Sequence, residues 1–465
     1  MLNYYDIPYS VDWYRASFEN FLNDLETPRK NIRSDDVRAS GYRHTTCHGR
    51  VQLDPVVFTD GCGCILTDMD NNHFLDFGSG IYVTNLGHAH PKVSEAVARQ
   101  ARTLMNCHDY MTPVKAAYYE RLSQIVGRGF DTIHLYDNGT TAVEFGIRAM
   151  RAITGKFEII SCFSDHHGKT EGASALGRLS PIHGPHRPPG FYMVPRPDPY
   201  RPVFKKNDGT IDTDAYIDFY DLFIKESTTG QVAGFILEPV QGWGGTIIPP
   251  DDFFPKLADF CRSRGMLLMT DEILTGSGRT GKWLCTDHWD VTPDIVVLGK
   301  GIGNGFPMSG LLVHRKYECA VSGIGPSTTF GGNPMACAAG LATLEVMETD
   351  NLLKQAEENG VYLLERLHQL KDTHPTIGDV RGVGCLLGVE FVKNRETKEP
   401  FVEMGIGVYK EAMKRKFIPG IPVIHLLRIA PPLIADKNIL DTAVTLLDES
   451  ICAAEDFLLH EAGRV

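Results

Sequence analysis

"DIVVLGKGIGNGFPMSG", Asp294–Gly310, is the stretch on which the fold turns. Ile295–Leu298 is an unbroken apolar run that stops at Gly299. A strand with no polar alternation is one buried on both faces, as in a parallel sheet sandwiched between helices. A single lysine, Lys300, follows at the strand end, with Gly301, Gly303 and Gly305 behind it. A solvated lysine needs no such setting, whereas a phosphate-binding lysine or a covalent nucleophile does.

Working outward, the same apolar-run pattern recurs. "TIHLYDNG" (132–139), "FEIISCF" (157–163), "VAGFILEPV" (232–240) and "GMLLMTDEI" (265–273) read as strands. Helical spacing separates them, as in "TAVEFGIRAMRAI", where Val143, Ile147 and Met150 share one side, and near 252–264. Alternating strands and helices predict an α/β layer on a mostly parallel, seven-stranded type of sheet. Ligands in such sheets lie beyond the carboxyl ends of the strands. Asn138–Thr141, His166–His167, Glu238, Asp271 and Lys300 all fall at or just past such ends.

The flanks differ. Phe18, Phe21, Leu22 and Leu25 suggest a short amphipathic helix, and "GCGCILTDMDNNHFLDF" (61–77) two short strands about a turn at Asp70–Asn72. That turn is not a calcium loop: His73 stands where the loop glycine belongs and Ser79 where the closing glutamate belongs. Residues 181–202 hold eight of the 27 prolines, which predicts a long irregular loop over a site. The last third mixes strong helices, such as "LLKQAEENGVYLLERLHQL" and 438–459, with strand-like "RGVGCLLGVEFV" and "LLRIAPPL". The expected organisation is an N-terminal segment, 1–87, that completes a smaller α+β domain at 346–465, around a large domain at 88–345.

Bulk properties exclude several classes. The 465 residues carry a formal net charge of −12, and the isoelectric point is near 5.8. That argues against nucleic acid or an anionic membrane as partner. No apolar run approaches the roughly 20 residues that span a bilayer, and the N-terminus lacks a basic start with an apolar core. The 11 scattered cysteines read as reduced cytoplasmic thiols, and no cysteine set has zinc spacing, so no metal is expected.

Three stretches approach a nucleotide phosphate loop and each fails. "GSGRTGKW" ends in Trp283 where a magnesium-binding hydroxyl belongs. Gly168–Thr170 has Phe163 in place of the first glycine, and Lys300 has Asp294 there. The covalent alternative has the parts it needs. A lysine at a closed strand end can form a Schiff base with a carbonyl, once burial brings its pKa down from about 10.4. A pyridoxal phosphate site adds an acid beneath the pyridine nitrogen, a phosphate cradle at a helix N-terminus and a group stacked on the ring. Asp271 stands 29 residues before Lys300, about one strand–helix–strand unit. Gly139, Thr140 and Thr141 open a helix directly after a strand, and "DHHGKT" offers His166 for stacking.

These motifs, with "DFGSGIYVTNLGHAHPKV" (76–93), "EPVQGWGG" (238–245), "DEILTGSGRTG" (271–281), "TTFGGNPMACAAGLATLEV" (328–346) and "LRIAPPL" (427–433), resemble class III, or ω-type, pyridoxal-phosphate-dependent aminotransferases of fold type I. The resemblance runs from about residue 50 to 455. It implies that Lys300 carries the cofactor as a Schiff base and that Asp271 pairs with the pyridine nitrogen. It further implies that Gly139 and Thr140 hold the phosphate, Ile273 packs under the ring, and Glu238 belongs to the cofactor shell. Thr329 would reach the phosphate of a neighbouring subunit, which implies a homodimer. Arg428, Trp243 and Tyr82 are the implied substrate contacts.

The departures bear on the substrate. His166 replaces the usual stacking Tyr or Phe, Leu274 the usual Gln of "DEVQ", and Trp243 the acidic residue of "QGEGG" that pairs with the arginine aligned with Arg428. The resulting expectation is a cytoplasmic homodimeric aminotransferase with an amino-acid donor such as glutamate. Its partner is expected to be a carbonyl/amine substrate of a specialised kind, such as an aminosugar or another secondary metabolite. The alternative within the same family is a racemase or epimerase, with His166 or His167 as the second proton donor. A chain that only binds or regulates is the third possibility, against which an intact Lys300 and Asp271 argue.

Overall fold

The structure, a computed structural model, describes residues 7–30, 34–42, 44, 56–177, 187–420, 422–423 and 425–461. The chain divides into two compact units, one of Glu95–Glu345 and one of Asp6–Ser94 with Val346–Val465.

The first unit is built on a seven-stranded sheet. Its strands, in chain order, are β1 (Thr132–Tyr136), β2 (Glu158–Cys162), β3 (Phe191–Val194), β4 (Val232–Leu237), β5 (Leu267–Asp271), β6 (Ile295–Leu298) and β7 (Ser309–Val313). They lie in the order β1-β7-β6-β5-β4-β2-β3. All run parallel except β7, which pairs antiparallel with both β1 and β6. The chain length explains the exception. Between Leu298 and Ser309 there is too little chain for a helical crossover, so the next strand must return antiparallel.

Both faces of the sheet are covered, which is why the strands read as continuous apolar runs. Ile159, Ile236, Met269 and Val297 pack with Val143, Ile147 and Met150 of the helix Gly139–Thr154. The alternate residues Ile160, Phe235 and Leu268 pack with Tyr216 and Tyr220 of the helix Thr213–Ser227 and Phe253, Phe254 and Leu257 of the helix Phe253–Ser263. Each such side chain stabilises by about 1.5–3 kcal/mol when fully buried. The strand ends of β1, β2, β4, β5 and β6 therefore open on one edge.

One expectation is corrected here. The proline-rich stretch 181–202 is not irregular throughout: β3 lies inside it and pairs parallel with β2 at the edge of the sheet. Its prolines flank "FYMV" and none interrupts it, so the ladder on the β2 side keeps every donor. The part of that stretch at 181–186 lies outside the described residues.

The second unit contains two four-stranded sheets. In one, Phe58–Cys62, Ile65–Asp68 and His73–Asp76 are joined by Phe417–Ile418. The turn at Asp68–Asn72 is held by Asp68, whose Oδ1 accepts the N–H groups of Asp70 (2.9 Å) and Asn72 (2.8 Å). In the other, Ile377–Val383 pairs with Leu386–Asn394, which also carries Leu426–Ile429. The helices Leu352–Thr373, Val402–Lys414 and Lys437–Glu461 belong to this unit. Among the described residues no helix is long and apolar enough to cross a membrane, and all ten described cysteines are free thiols.

Candidate active site

Lys300 follows β6 on a strained backbone. Gly299 is extended, and Lys300 itself has φ 46°, in the left-handed region, as it opens a 3₁₀ turn over Lys300–Gly303. A left-handed non-glycine residue costs about 1–3 kcal/mol, and such strain concentrates where a side chain must be aimed. Lys300 is half-buried.

On the neighbouring strand, β5 ends in Asp271, which is buried. Its Oδ1 accepts the N–H of Ile273 (3.1 Å), and its Oδ2 lies 2.7 Å from Nδ1 of His167. His167 has no side-chain exposure, and its Nε2 lies 3.6 Å from Oδ2 of Asp165. Burial works against a charged imidazole, but the two carboxylates flanking it outweigh that and lift its pKa to about 10. Glu238, just past β4, accepts the N–H groups of His166 (2.8 Å) and Gly242 (2.9 Å) on its two oxygens. Burial, then the charges of Asp165 and Asp271, push its carboxyl up to about 8. This position makes Glu238 a brace for the backbone of residue 166.

Past β1, Asn138 caps the helix Gly139–Thr154, accepting from the N–H (3.0 Å) and the hydroxyl (2.9 Å) of Thr141. No acidic residue stands in that helix's first turn, so its N-terminus keeps its affinity for an anion. The hydroxyl of Thr140 is 2.7 Å from that of Thr170, which donates to Glu144 (2.5 Å). Glycines keep the recess open. A Cβ at Gly168, φ 141°, would stand 2.1 Å from Oγ1 of Thr140, and one at Gly139 would stand 2.7 Å from Cδ1 of Ile273. Ile273 also touches Gly299, where a Cβ would come within 3.1 Å. An apolar side chain thus lies between the phosphate-type cradle and the lysine strand. His166 and Trp243 are both half-buried, with ring centroids 5.6 Å apart and planes inclined at 58°. Leu274 is buried.

The remaining candidates are Thr329 in the first unit and Arg428 and Tyr82 in the second. Thr329 is exposed, and its carbonyl accepts from the side-chain amide of Asn106 (3.1 Å). In the second unit, Arg428 and Tyr82 are buried together, with the guanidinium 4.7 Å from the ring centroid. Tyr82 ends a run of four left-handed residues, Ser79, Gly80, Ile81 and Tyr82, with φ from 45° to 67°. His167 requires a correction. It is enclosed between two carboxylates, which removes it from the role of second proton donor and leaves only His166. Its partners come from Asp165 and from a strand 104 residues away, a pairing that no local spacing reveals.

An acid at one strand end, a strained lysine at the next, a helix N-terminus free of acid and an apolar floor suit a flat, phosphorylated, nitrogen-containing ring. Together they define an enzyme site of the pyridoxal-phosphate, fold type I kind. The class-III aminotransferase family model matches residues 48–451, and the chain belongs to that family, whose cofactor is pyridoxal phosphate. It is 33% identical over 416 residues to the acetylornithine aminotransferase of Methanocaldococcus jannaschii, covering 87% of this chain and 95% of that one. It is 32% identical over 422 residues to a leucine/methionine racemase of Thermococcus litoralis, covering 88% and 93%. An amine transaminase from an uncultivated Pseudomonas species, solved in its PLP-bound form, superposes with a TM-score of 0.82 at 27% identity over 88% of this chain and 98% of that one.

Proposed function

We propose that this chain transfers an amino group between an amino-acid donor, such as glutamate, and a carbonyl acceptor, with an aminosugar or another secondary metabolite as the specialised partner. The observation that carries the reading is the pairing at adjacent strand ends of a buried acid, Asp271, with a strained lysine, Lys300. Pyridoxal phosphate, when bound, supplies the electron sink that makes a proton on the substrate's α-carbon removable. The chain's residues do the rest. Lys300 would hold the cofactor through Nζ and, with a substrate amine in that place, would take and return the α-proton. Asp271 accepts the hydrogen bond of the protonated ring nitrogen. The N–H groups at Gly139 and Thr140, with the Thr140 hydroxyl, take the phosphate, Ile273 floors the ring, and His166 covers it, held by Glu238. Arg428, its guanidinium set against Tyr82, takes a substrate carboxylate. Trp243 and His166 form the wall that selects the partner.

The assembly we propose is a cytoplasmic homodimer in which Thr329 reaches the partner's phosphate. The exposed apolar side chains Leu104, Met105, Tyr110, Met111 and Phe330, on the surface that also carries Thr329, support it. In functional terms the large cofactor-binding domain of this proposal spans 88–345, between an N-terminal segment, 1–87, and a smaller C-terminal domain, 346–465.

Epimerisation is the second reading, supported by the 32% identity to a racemase and by the imidazole of His166. One assay separates the two. Enzyme and amine are incubated in D₂O without a keto acid, and half-reaction spectra are followed across a screen of donors. Conversion of the cofactor to its amine form supports transamination. Inversion at the α-carbon with deuterium uptake and no amine form sinks it. Lys300→Ala is expected to lower the half-reaction rate by at least about 10²–10⁴-fold.

A further inference from the structure

The loop after β2 carries one more acid than the proposed chemistry uses. Asp165 has no side-chain exposure. Its Oδ2 accepts the N–H of Cys162 (2.9 Å), and its Oδ1 accepts the side-chain amide of Gln241 (2.8 Å). Those bonds alone would make it a loop brace. Its position says more, because Oδ2 also faces Nε2 of His167 at 3.6 Å, on the side of the imidazole opposite Asp271.

We infer that Asp165 is a positioning residue for the ring-nitrogen acid: it holds His167 as a doubly protonated imidazolium, and that cation fixes Asp271 as an anion. This rests on the proposed function in taking Asp271 as the cofactor's partner. A neutral His167 has a single proton and two carboxylates to face. With that proton on Nε2, the Nδ1 lone pair would meet Asp271 across 2.7 Å, a contact that only a protonated Asp271 tolerates. A protonated Asp271 would be only a neutral acceptor and would not stabilise a positively charged ring nitrogen as an anion does. With the proton on Nδ1, Asp271 keeps its hydrogen bond, but the Nε2 lone pair then faces the Asp165 carboxylate at 3.6 Å with no charge to offset it. The two-proton form answers both anions, one by a hydrogen bond and one by charge alone.

The charged groups around the imidazole are few. Asp165 comes from its own loop, Asp271 from β5, and Glu238 from the end of β4. Arg196 is one step removed, with its guanidinium 3.2 Å from the side-chain oxygen of Gln241.

The test is Asp165→Asn, read first in the apoprotein. The two ring nitrogens of His167 are followed by NMR in protein labelled with ¹⁵N-histidine, with His167→Asn to assign the signals. In the parent protein both nitrogens are expected to stay protonated past about pH 9, against an ordinary midpoint of about 6.5. In Asp165→Asn the midpoint should fall by at least about two units, the size of shift a close opposite charge produces. A midpoint that moves by less than about half a unit overturns the inference, as does a parent His167 that loses a proton near its ordinary value. The second of these can be read even if the variant does not fold.

In the loaded enzyme, the pH dependence of the cofactor's visible absorbance should shift in Asp165→Asn. The same substitution should add little in a His167→Asn background, because Asp165 acts through that ring. Additive shifts in the double variant overturn the inference, since a simple loop brace would give them. Failure of the parent apoprotein to take up pyridoxal phosphate would instead sink the proposed function, and the apoprotein midpoints would still be readable.

Discussion

Among the described residues an imidazole is set between two carboxylates in each unit. In the first unit, His167 lies between Asp165 and Asp271, with side-chain exposures of 0%, 0% and 3%. In the second, His374 follows the helix Leu352–Thr373, with Nε2 2.7 Å from Asp448 and Nδ1 2.8 Å from Glu455, both on the helix Lys437–Glu461. The ring of His374 is nearly as hidden, at 4% exposure, but Asp448 is 46% exposed and Glu455 13%. The motif is shared, and water makes the difference. The open cluster screens its charges and serves as a tie between helices. The closed one cannot screen them, so each group fixes the protonation of the next. Its last member, Asp271, stands at the strand end beside that of Lys300.

Removing the cation separates the two clusters most strongly. His167→Leu leaves Asp165 and Asp271 buried with no positive partner. It should cost about 3–5 kcal/mol of unfolding free energy in denaturant titrations, together with cofactor retention. The pH dependence carries a sign. The pKa of His167 in the folded chain, about 10, lies above its unfolded value. Its contribution is therefore complete below about pH 6.5 and lost as the pH rises through about 10. The parent should show that alkaline decline and His167→Leu should lack it. Equal alkaline curves for the two proteins would show that His167 is not held charged.

A smaller effect sharpens the contrast by moving the loop rather than the charge. Gly168 follows His167 with φ 141°, and a methyl there would overlap Oγ1 of Thr140 at 2.1 Å. Gly168→Ala must shift either the phosphate cradle or the loop that carries His167. Cofactor affinity should fall about 10–100-fold, equivalent to about 1.4–2.8 kcal/mol, as measured by dialysis or fluorescence titration. Unchanged affinity would mean that the recess is wider than the glycine implies.

The two clusters also differ in how far the sequence announces them. Lys300, Asp271 and Gly139–Thr141 were legible because each follows an apolar run long enough to mark a strand end, and strand ends of a parallel sheet share an edge. The antiparallel return of β7 was not legible, since direction depends on the length of the connection and not on composition. β3 was hidden by the prolines around it, although "FYMV" contains none. The role of His167 was beyond reach for a different reason: its charge depends on Asp271, contributed by another strand. His374 was invisible in the same way, its partners lying 74 and 81 residues along the chain.

The smallest expected effect is at that second cluster, and it decides whether burial of the partners is what matters. The pKa of His374 is raised, with burial opposing and Glu455 and Asp448 prevailing, so its stabilisation too fades as the pH rises. In His374→Leu, however, Asp448 can turn to water, and Glu455 keeps the hydroxyl of Thr376 at 2.5 Å. Neither carboxylate is left stranded. The loss should then be about 1 kcal/mol or less and should shrink further in high salt, as expected of screened pairs. A cost equal to that of His167→Leu would show that enclosing the ring alone sets the energy, and the contrast between the units would fail. A small, salt-sensitive cost would place the difference in the carboxylates: those around His167 have no water to turn to.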